Sequence, residues 1–497
     1  MLKAFNFSVP CFLTLFLSLG LLRGPVSLQA QENLWYQQGF GHYYSPTQFS
    51  LTDQQGRLWT AVTAFPEPGL NPIIQLTVFQ ANGELIFDKT WSSTGGMEVK
   101  ALLLDARGDI WMGGEIQGSF ATEGHELNVT PAEGKDIFLA RIEPVGKVLS
   151  CQHFGGIGPQ FLHDMAIDPL GNIWLGGDYL HGISVGNQQA ASRGKRDVFL
   201  LHLPPRQVQP RLITFGGKGQ DHVSALAADG KGNIHLTGFF EGQASFPGKN
   251  LRAQGPEDWF LAQFNAKGYL NWVHQGGNDD THLHPSQFDQ GQDLVVDPTG
   301  RVCLLGNFSG SWNTPQGHLA TSGPKDQDVV ILRFLPSGEA LDVIQSRSTL
   351  SWEHGSHFFS LPDGNWMVNL AYSGQLNWGK ESLFNPSPVL EPAWLFFGQA
   401  VEQPIMHTWP GLNGCKLASV AWQENGQVFI SGTFPLHLHL GKRMLSAQSE
   451  SDLFISAFQY NWPKLQTVDH KKTRQTMTPA IYPQGRNAVG LKDTKDD

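Results

Sequence analysis

Histidine and aspartate residues that could contact a ligand gather at two places in this 497-residue sequence. The first set follows pairs of glycines, at the entry to predicted strands, and consists of His163, Asp164, Asp221, His222 and Asp293. The second set lies in a polar insertion and consists of Asp279, Asp280, His282 and His284. Imidazoles and carboxylates can exchange hydrogen bonds, move protons or ligate metals. We treat the two sets as alternative candidate ligand-binding sites.

Metal and catalytic chemistry need partners that the sequence does not place nearby. His282-x-His284 and His437-x-His439 each put two imidazoles on one side of a strand or loop, but zinc needs a third or fourth ligand. The sequence contains no H-E-x-x-H, phosphate-loop or dinucleotide motif. We therefore assign no catalytic, metal or cofactor-binding residue and expect no cofactor. An extracellular glycan lyase or hydrolase stays open as the alternative, because spacing alone does not select a pair of carboxylates.

A ten-residue phrase recurs along the chain, as in DARGDIWMGG, DPLGNIWLGG and DGKGNIHLTG. Aligned on the turn glycine, seven copies are spaced by 52 to 68 residues. The turn glycines are Gly56, Gly108, Gly171, Gly232, Gly300, Gly364 and Gly426. Each copy reads as a strand, a tight turn, a second strand, a third strand opened by aspartate, and a fourth that ends in glycines.

Four short antiparallel strands repeated at a fixed period predict an all-β fold, a seven-bladed β-propeller of four-stranded blades. The seventh copy lacks a convincing fourth strand, while LWYQQGFG (Leu34 to Gly41) resembles the fourth-strand segment LITFGGKG (Leu212 to Gly219). We expect the N-terminal strand to complete the last blade and so to close the ring. An open superhelix or a non-closing solenoid is the alternative.

Aspartates that recur once per copy are expected to be structural, because carboxylates in turns accept backbone N–H groups. Those that open the third strands are Asp136, Asp197, Asp258, Asp328 and Asp452. Those that begin the hairpin turns are Asp105, Asp168, Asp229 and Asp297. A ring of carboxylates that binds cations is the functional alternative for the first of these groups.

The two ends of the chain differ from the repeats. Residues 1–30 combine Lys3, an apolar run and Ala30, which is the layout of a secretory signal peptide. Residues 31–462 hold the propeller, and residues 463–497 form a polar tail that we expect to be disordered. No later stretch is long and apolar enough to cross a membrane. We therefore expect secretion to the extracellular or periplasmic space.

The net charge limits the possible partners, and the spacing of the cysteines argues against disulfides. The net charge of −10 argues against nucleic acid, which requires a basic face. Three cysteines follow the leader, Cys151, Cys303 and Cys415, and they lie far apart in apolar contexts. Packing thiols are the simpler interpretation of these residues, rather than a disulfide framework.

The repeat also resembles a known family. GGKGQDHVSALAADGKGNIHLTGFFEGQASF (Gly216 to Phe246), followed by GPEDWFLAQF (Gly255 to Phe264), is similar to the SBBP-type β-propeller repeat of bacterial secreted proteins. The resemblance covers nearly all of the chain after the leader and implies the propeller fold without implying a reaction. The sequence therefore favours a secreted, non-catalytic binding or scaffold protein. Such a protein would present loops to a protein or glycan partner at the cell surface or outside the cell.

Overall fold

The structure is a computed structural model, and the residues that it describes form antiparallel β-strands joined by turns and short loops. The described ranges are 33–39, 43–67, 69–129, 134–205, 209–277, 290–323, 326–347, 352–361, 365–398, 404–408, 414–423, 425–440, 443–447 and 452–459. Within these ranges the regular secondary structure consists of β-strands. No helix long and apolar enough to cross a membrane is found among the described residues. The predicted leader, the predicted tail and the candidate cluster at Asp279, Asp280, His282 and His284 lie outside them.

The strands are numbered in chain order. Their bounds are β1 Asn33–Gly39, β2 Tyr43–Thr52, β3 Leu58–Phe65, β4 Ile73–Phe79, β5 Leu85–Trp91, β6 Met97–Leu104, β7 Ile110–Ile116, β8 Gly118–Thr122, β9 His125–Val129, β10 Asp136–Ile142, β11 Val148–Phe154, β12 Gln160–Ile167, β13 Ile173–Val185, β14 Gln188–Leu203, β15 Arg211–Gly217, β16 Asp221–Ala228, β17 Ile234–Phe246, β18 Lys249–Phe264, β19 Leu270–Gly276, β20 Gln290–Val296, β21 Val302–Ser309, β22 Ser311–Thr314, β23 Gly317–Ala320, β24 Gln327–Phe334, β25 Ala340–Gln345, β26 Trp352–Ser360, β27 Trp366–Trp378, β28 Glu381–Asn385, β29 Glu391–Phe397, β30 Ile405–Thr408, β31 Lys416–Trp422, β32 Gln427–Phe434, β33 His437–Leu440, β34 Arg443–Ser446 and β35 Asp452–Gln459.

Four-stranded antiparallel sheets dominate the pairing. Three stand alone, with the orders β2-β3-β4-β5, β6-β7-β10-β11 and β1-β35-β32-β31. Two similar groups, β12 to β15 and β16 to β19, are joined through β15 and β17. Strands β20, β21, β24 and β25 are likewise joined to β26, β27, β29 and β30. The first strands lie beside one another, since β12 contacts both β6 and β16, and β2 contacts both β6 and β31.

The hairpin between the first two strands of each copy is built by its aspartate and its glycine. In the third copy, Asp168 Oδ1 accepts the backbone N–H groups of Leu170 and Asn172, each at 2.9 Å. Its Oδ2 accepts the indole N–H of Trp174 at 3.3 Å, which ties the turn to the core. Gly171 has a φ of 81°, a conformation that residues with a Cβ adopt only at a cost.

The aspartates of the third strands are buried, and three of them accept a hydrogen bond from a glutamine side chain on the neighbouring strand. Asp258 accepts the side-chain N–H of Gln275 at 3.0 Å, and Asp328 accepts that of Gln345 at 2.8 Å. Asp452 accepts the same kind of bond from Gln38, on β1, at 2.9 Å. Strand β1 therefore makes the contact that fourth strands make in other sheets.

A β-bulge interrupts the first strand of most copies, and the repeat pattern did not predict it. In each case one residue of the first strand has no partner on the second strand, which bends the strand and re-aims its side chains. The bulged residues are Lys100, His163, Ser224, Gln292, Ser356 and Ala418.

The core lies between neighbouring sheets, where the second and third strands are buried on both faces. In β13 the run from Ile173 to Tyr179 is buried throughout, as is Asp452 to Phe458 in β35. None of the three cysteines within the described ranges forms a disulfide. Burial raises the pKa of the Cys303 thiol to about 12, so this group packs as a small apolar side chain.

Candidate ligand-binding site

One layer of the sheets differs in chemistry from copy to copy. It comprises, in each copy, the bulged residue and the cross-strand pair whose first-strand member lies two residues before the bulge, and we call it the variable layer. Its pairs are Glu98–Glu115, Phe161–Asp178, His222–Phe239, Gln290–Asn307, His354–Ala371 and Lys416–Thr433. Because the turns and the core repeat while this layer does not, its residues are the candidates for a specific function.

Three residues of the variable layer meet between two sheets. His163 projects from the bulge of β12, Asp178 lies in β13, and His222 comes from β16 of the next sheet. Both imidazoles contact the same carboxylate oxygen, Oδ1 of Asp178, through His163 Nε2 and through His222 Nδ1 at 2.9 Å. The two imidazole rings lie 4.2 Å apart between centroids.

The surroundings hold this carboxylate in place. The side chain of Asp178 is fully buried, and its second oxygen accepts Arg196 Nη1 at 3.2 Å. Arg196 in turn stacks over the ring of Phe161 at 4.3 Å. Burial acts to raise the pKa of Asp178, but the hydrogen bonds from His163 and His222 outweigh burial and hold that pKa below its usual range.

The two imidazoles are reachable from solvent. Their side chains are 24% and 23% exposed, for His163 and His222 respectively. Burial lowers the pKa of His163, even though its contact with Asp178 opposes the change, so this imidazole is neutral near neutral pH. A neutral imidazole can accept a proton or bind a metal ion.

Charged groups on the preceding sheet adjoin this cluster. Glu98 accepts hydrogen bonds from Lys135 and, at 3.1 Å, from Lys100. Glu115 lies 3.3 Å from Lys135 and 3.6 Å from Lys100. Burial raises the pKa of Glu115 despite both lysines. The two lysines and two glutamates balance in charge.

Two of the candidate residues, Asp164 and Asp293, have structural contacts. Each is partly buried and bridges two sheets. Asp164 Oδ2 accepts the backbone N–H of Leu226 at 2.7 Å, and Asp293 Oδ2 accepts that of Phe358, also at 2.7 Å. These contacts join neighbouring first strands.

Asp221 is also buried, beside its neighbour His222. Its Oδ2 accepts the backbone N–H of Gly217 at 2.7 Å. Burial raises the pKa of Asp221 to about 8, and the nearby charge of Asp197 adds to the effect. Of the five residues proposed from the glycine pairs, the structure therefore brings His163 and His222 together and binds the three aspartates to backbone N–H groups.

The sequence reasoning missed Asp178, the residue that joins the two histidines. It follows the repeated glycine of the second strand, where other copies carry residues such as Glu115, Phe239 and Asn307. A signal was present, because the side chain at this position changes from copy to copy and is a carboxylate in this one. The signal lies in a difference between the copies at one position, whereas the repeat is recognised by what the copies share.

A cleft lies at the hairpin-turn ends of these strands, away from the variable layer. It has a volume of about 900 Å³, and Trp111, Arg141 and Leu170 contribute to its wall. Much of its lining consists of the repeated turns around Asp105, Asp168 and Asp229. Those carboxylates already accept backbone N–H groups, so this cleft carries less distinctive chemistry than the variable layer.

Comparisons with known proteins return structural likeness alone, since no family model and no curated protein matches the sequence. Extracellular domains 1–2 of Drosophila Semaphorin 1b superpose with a TM-score of 0.39 at 8% identity, covering 86% of this chain and 87% of that one. A Penicillium chrysogenum α-L-arabinanase complexed with arabinobiose gives 0.36 at 9% identity, covering 85% and 98%. A Xanthomonas campestris gluconolactonase gives 0.30 at 12% identity, covering 75% and 92%. Scores this low carry no argument about function.

Proposed function

We propose that this chain is a secreted, seven-bladed β-propeller of the SBBP-repeat type that binds a protein or glycan partner through the variable layer. The observation that carries the proposal is the concentration of non-repeating polar residues in that layer. Glu98, Lys100, His163, Asp178 and His222 occupy neighbouring first and second strands. The six copies that have the bulge each carry a different cross-strand pair at this level.

In this proposal the ring is closed by the N-terminal strand, and the variable layer faces one mouth of the central channel. Support for closure comes from β1, which pairs antiparallel with β35 at the other end of the described chain. Further support comes from β2, which lies between β6 and β31. A ring gives every sheet two neighbours and leaves short edges.

The test is a thermal-shift screen of the chain from residue 31 onward against glycans, followed by capture of surface proteins. A ligand at a hundred times its Kd stabilises the folded state by about 2.7 kcal/mol. We expect the stabilisation to be lost in Lys100→Ala, and to be retained in Lys231→Ala at the turn end. Retention in both variants, or loss in both, would place binding elsewhere on the molecule.

One observation favours the second candidate, a glycan lyase or hydrolase. A buried carboxylate that contacts two part-exposed imidazoles can hold an imidazole in position as a general base. Incubating any stabilising glycan with the protein and measuring new reducing ends or unsaturated products would separate the two candidates. Turnover that disappears in His163→Gln would replace the binding proposal with the enzyme.

A further inference from the structure

We propose that His163, Asp178 and His222 form a binding site for one divalent transition-metal ion of the zinc class. The inference goes beyond the proposed function and does not depend on which partner the variable layer binds. It starts from proximity: each residue offers one ligand atom, and these three atoms all lie within 4.8 Å of one another. Elsewhere in the described part of the chain, no other three such residues meet this condition.

The distances suit an ion after a small movement. Ligand atoms held about 2.0–2.1 Å from a tetrahedral zinc ion lie roughly 3.3 Å from each other. His222 Nδ1 and Asp178 Oδ1 are 2.9 Å apart, and His163 Nε2 lies nearer still to the same oxygen. Spreading the imidazoles by a fraction of an ångström therefore opens room for the ion. Both side chains are about three-quarters buried and keep a solvent-facing edge through which the ion can enter.

The ligand chemistry selects the class of metal. Two imidazole nitrogens and one carboxylate oxygen suit zinc and its neighbours, whereas calcium and magnesium prefer shells made of oxygen. Three protein ligands leave at least one position for water or for a ligand atom. The site would therefore be open rather than purely structural.

The second layer of contacts orients the carboxylate toward the imidazoles. Arg196 binds Asp178 Oδ2 and leaves Oδ1 for the ion. The nearby Lys100 and Lys135 are paired with Glu98 and Glu115, so their positive charge is largely compensated. An incoming cation thus meets a neutralised surface and one ionised carboxylate.

The experiment is a titration of chelator-treated chain with Zn²⁺, using a chromophoric chelator as competitor. Co²⁺ is then added in place of Zn²⁺, and the visible absorption reports the ligand geometry. We expect one Zn²⁺ per chain with no comparable Ca²⁺ binding. His163→Gln and His222→Gln, both at part-exposed positions, should each weaken Zn²⁺ binding at least about tenfold and abolish the Co²⁺ absorption.

Two double variants serve as matched controls. His437 and His439 are exposed on β33, and His282 and His284 form the other pair with the same spacing. Replacing either pair by glutamine should leave the strong Zn²⁺ equivalent and the Co²⁺ absorption unchanged. Circular dichroism and a melting curve establish that each variant is folded. The proposal is overturned if folded His163→Gln/His222→Gln binds Zn²⁺ as tightly as the unmodified chain, or if micromolar Zn²⁺ does not bind the unmodified chain.

Discussion

At the scale of single residues, burial separates carboxylates of the same type into different roles. Asp178 is buried with two imidazoles and a guanidinium around it, and its pKa is held low. Asp293 has backbone N–H groups as its hydrogen-bond donors, and desolvation raises its pKa to about 8. The negative charge of Asp164 adds to that rise. The carboxylate of Asp178, whose pKa is low, suits a positively charged ligand. The carboxyl group of Asp293, whose pKa is raised, suits an uncharged contact between sheets.

Asp293 should make the stability of the protein depend on pH. Its pKa in the folded state is raised, so its stabilising contribution is complete below about pH 4 and is lost as the pH rises through about 8. The loss for one group amounts to at most about 1.4 kcal/mol per pH unit. We expect Asp293→Asn to gain stability relative to the unmodified chain over this window, measured by urea unfolding at several pH values.

The control for that measurement is Ser419→Ala. Ser419 occupies the position equivalent to Asp293 and accepts the backbone N–H of Ser50 at 2.9 Å, but it does not titrate in this range. Its replacement should cost about 1 kcal/mol at every pH. If Asp293→Asn instead lowers stability by the same amount at every pH, Asp293 does not titrate in this window.

At the scale of elements, the hairpin turn is the unit that repeats and the bulge is the unit that varies. In the fourth copy, Asp229 accepts the backbone N–H groups of Lys231 and Asn233 at 2.8 and 2.9 Å. That geometry needs Gly232, whose φ is 82°. The bulge in the same first strand exposes whichever residue stands there, so one backbone plan carries different chemistry in each copy.

Two glycines of this turn offer a matched pair of variants. Gly232→Ala should lower the free energy of unfolding by about 1–2 kcal/mol, because a Cβ is disfavoured at positive φ. The space around Gly232 is not the obstacle, since the nearest atom would lie 3.4 Å from the new Cβ. Gly230, in open space and without a positive φ, should accept alanine with a change below about 0.5 kcal/mol. Equal effects in urea unfolding would show that the backbone conformation is not the cause.

At the scale of the whole molecule, the two ends of the described chain lie in one sheet. Strand β1 pairs with β35 along its length. Trp35 packs against Phe79 and Phe429, at 5.6 and 5.8 Å between ring centroids, and its indole N–H donates to Ala81 O at 2.8 Å. The first strand thus contacts residues from both ends of the sequence.

Removing this strand should therefore damage the entire molecule. A chain that begins after residue 39 leaves β35 as a free edge, so we expect a lower melting temperature and aggregation. Trp35→Ala should cost about 2–4 kcal/mol, because Trp35 is only partly buried. Deleting residues 463–497 is the control and should leave the melting curve unchanged. An equally stable chain without β1 would contradict the proposed ring closure.

The sequence by itself determined the order of strands and tight turns within each copy, because hairpins depend on local residues. Glycines at positive φ and carboxylates bound two and four residues onward are short-range effects, and the aspartate-glycine phrase predicted them directly. The resulting all-β architecture of four-stranded antiparallel sheets is confirmed. The same local signal could not distinguish Asp164 or Asp293, which bind backbone N–H groups of a neighbouring strand, from a carboxylate that meets a ligand.

Only the tertiary structure decided the site. His163 and His222 are 59 residues apart in the sequence and belong to different sheets, and the contact between them is made through Asp178. Their meeting depends on a bulge in β12 and on the packing of β12 against β16. Both are set by how sheets stack rather than by neighbouring residues. A repeat predicts what its copies share, whereas the site arises where two copies differ and touch.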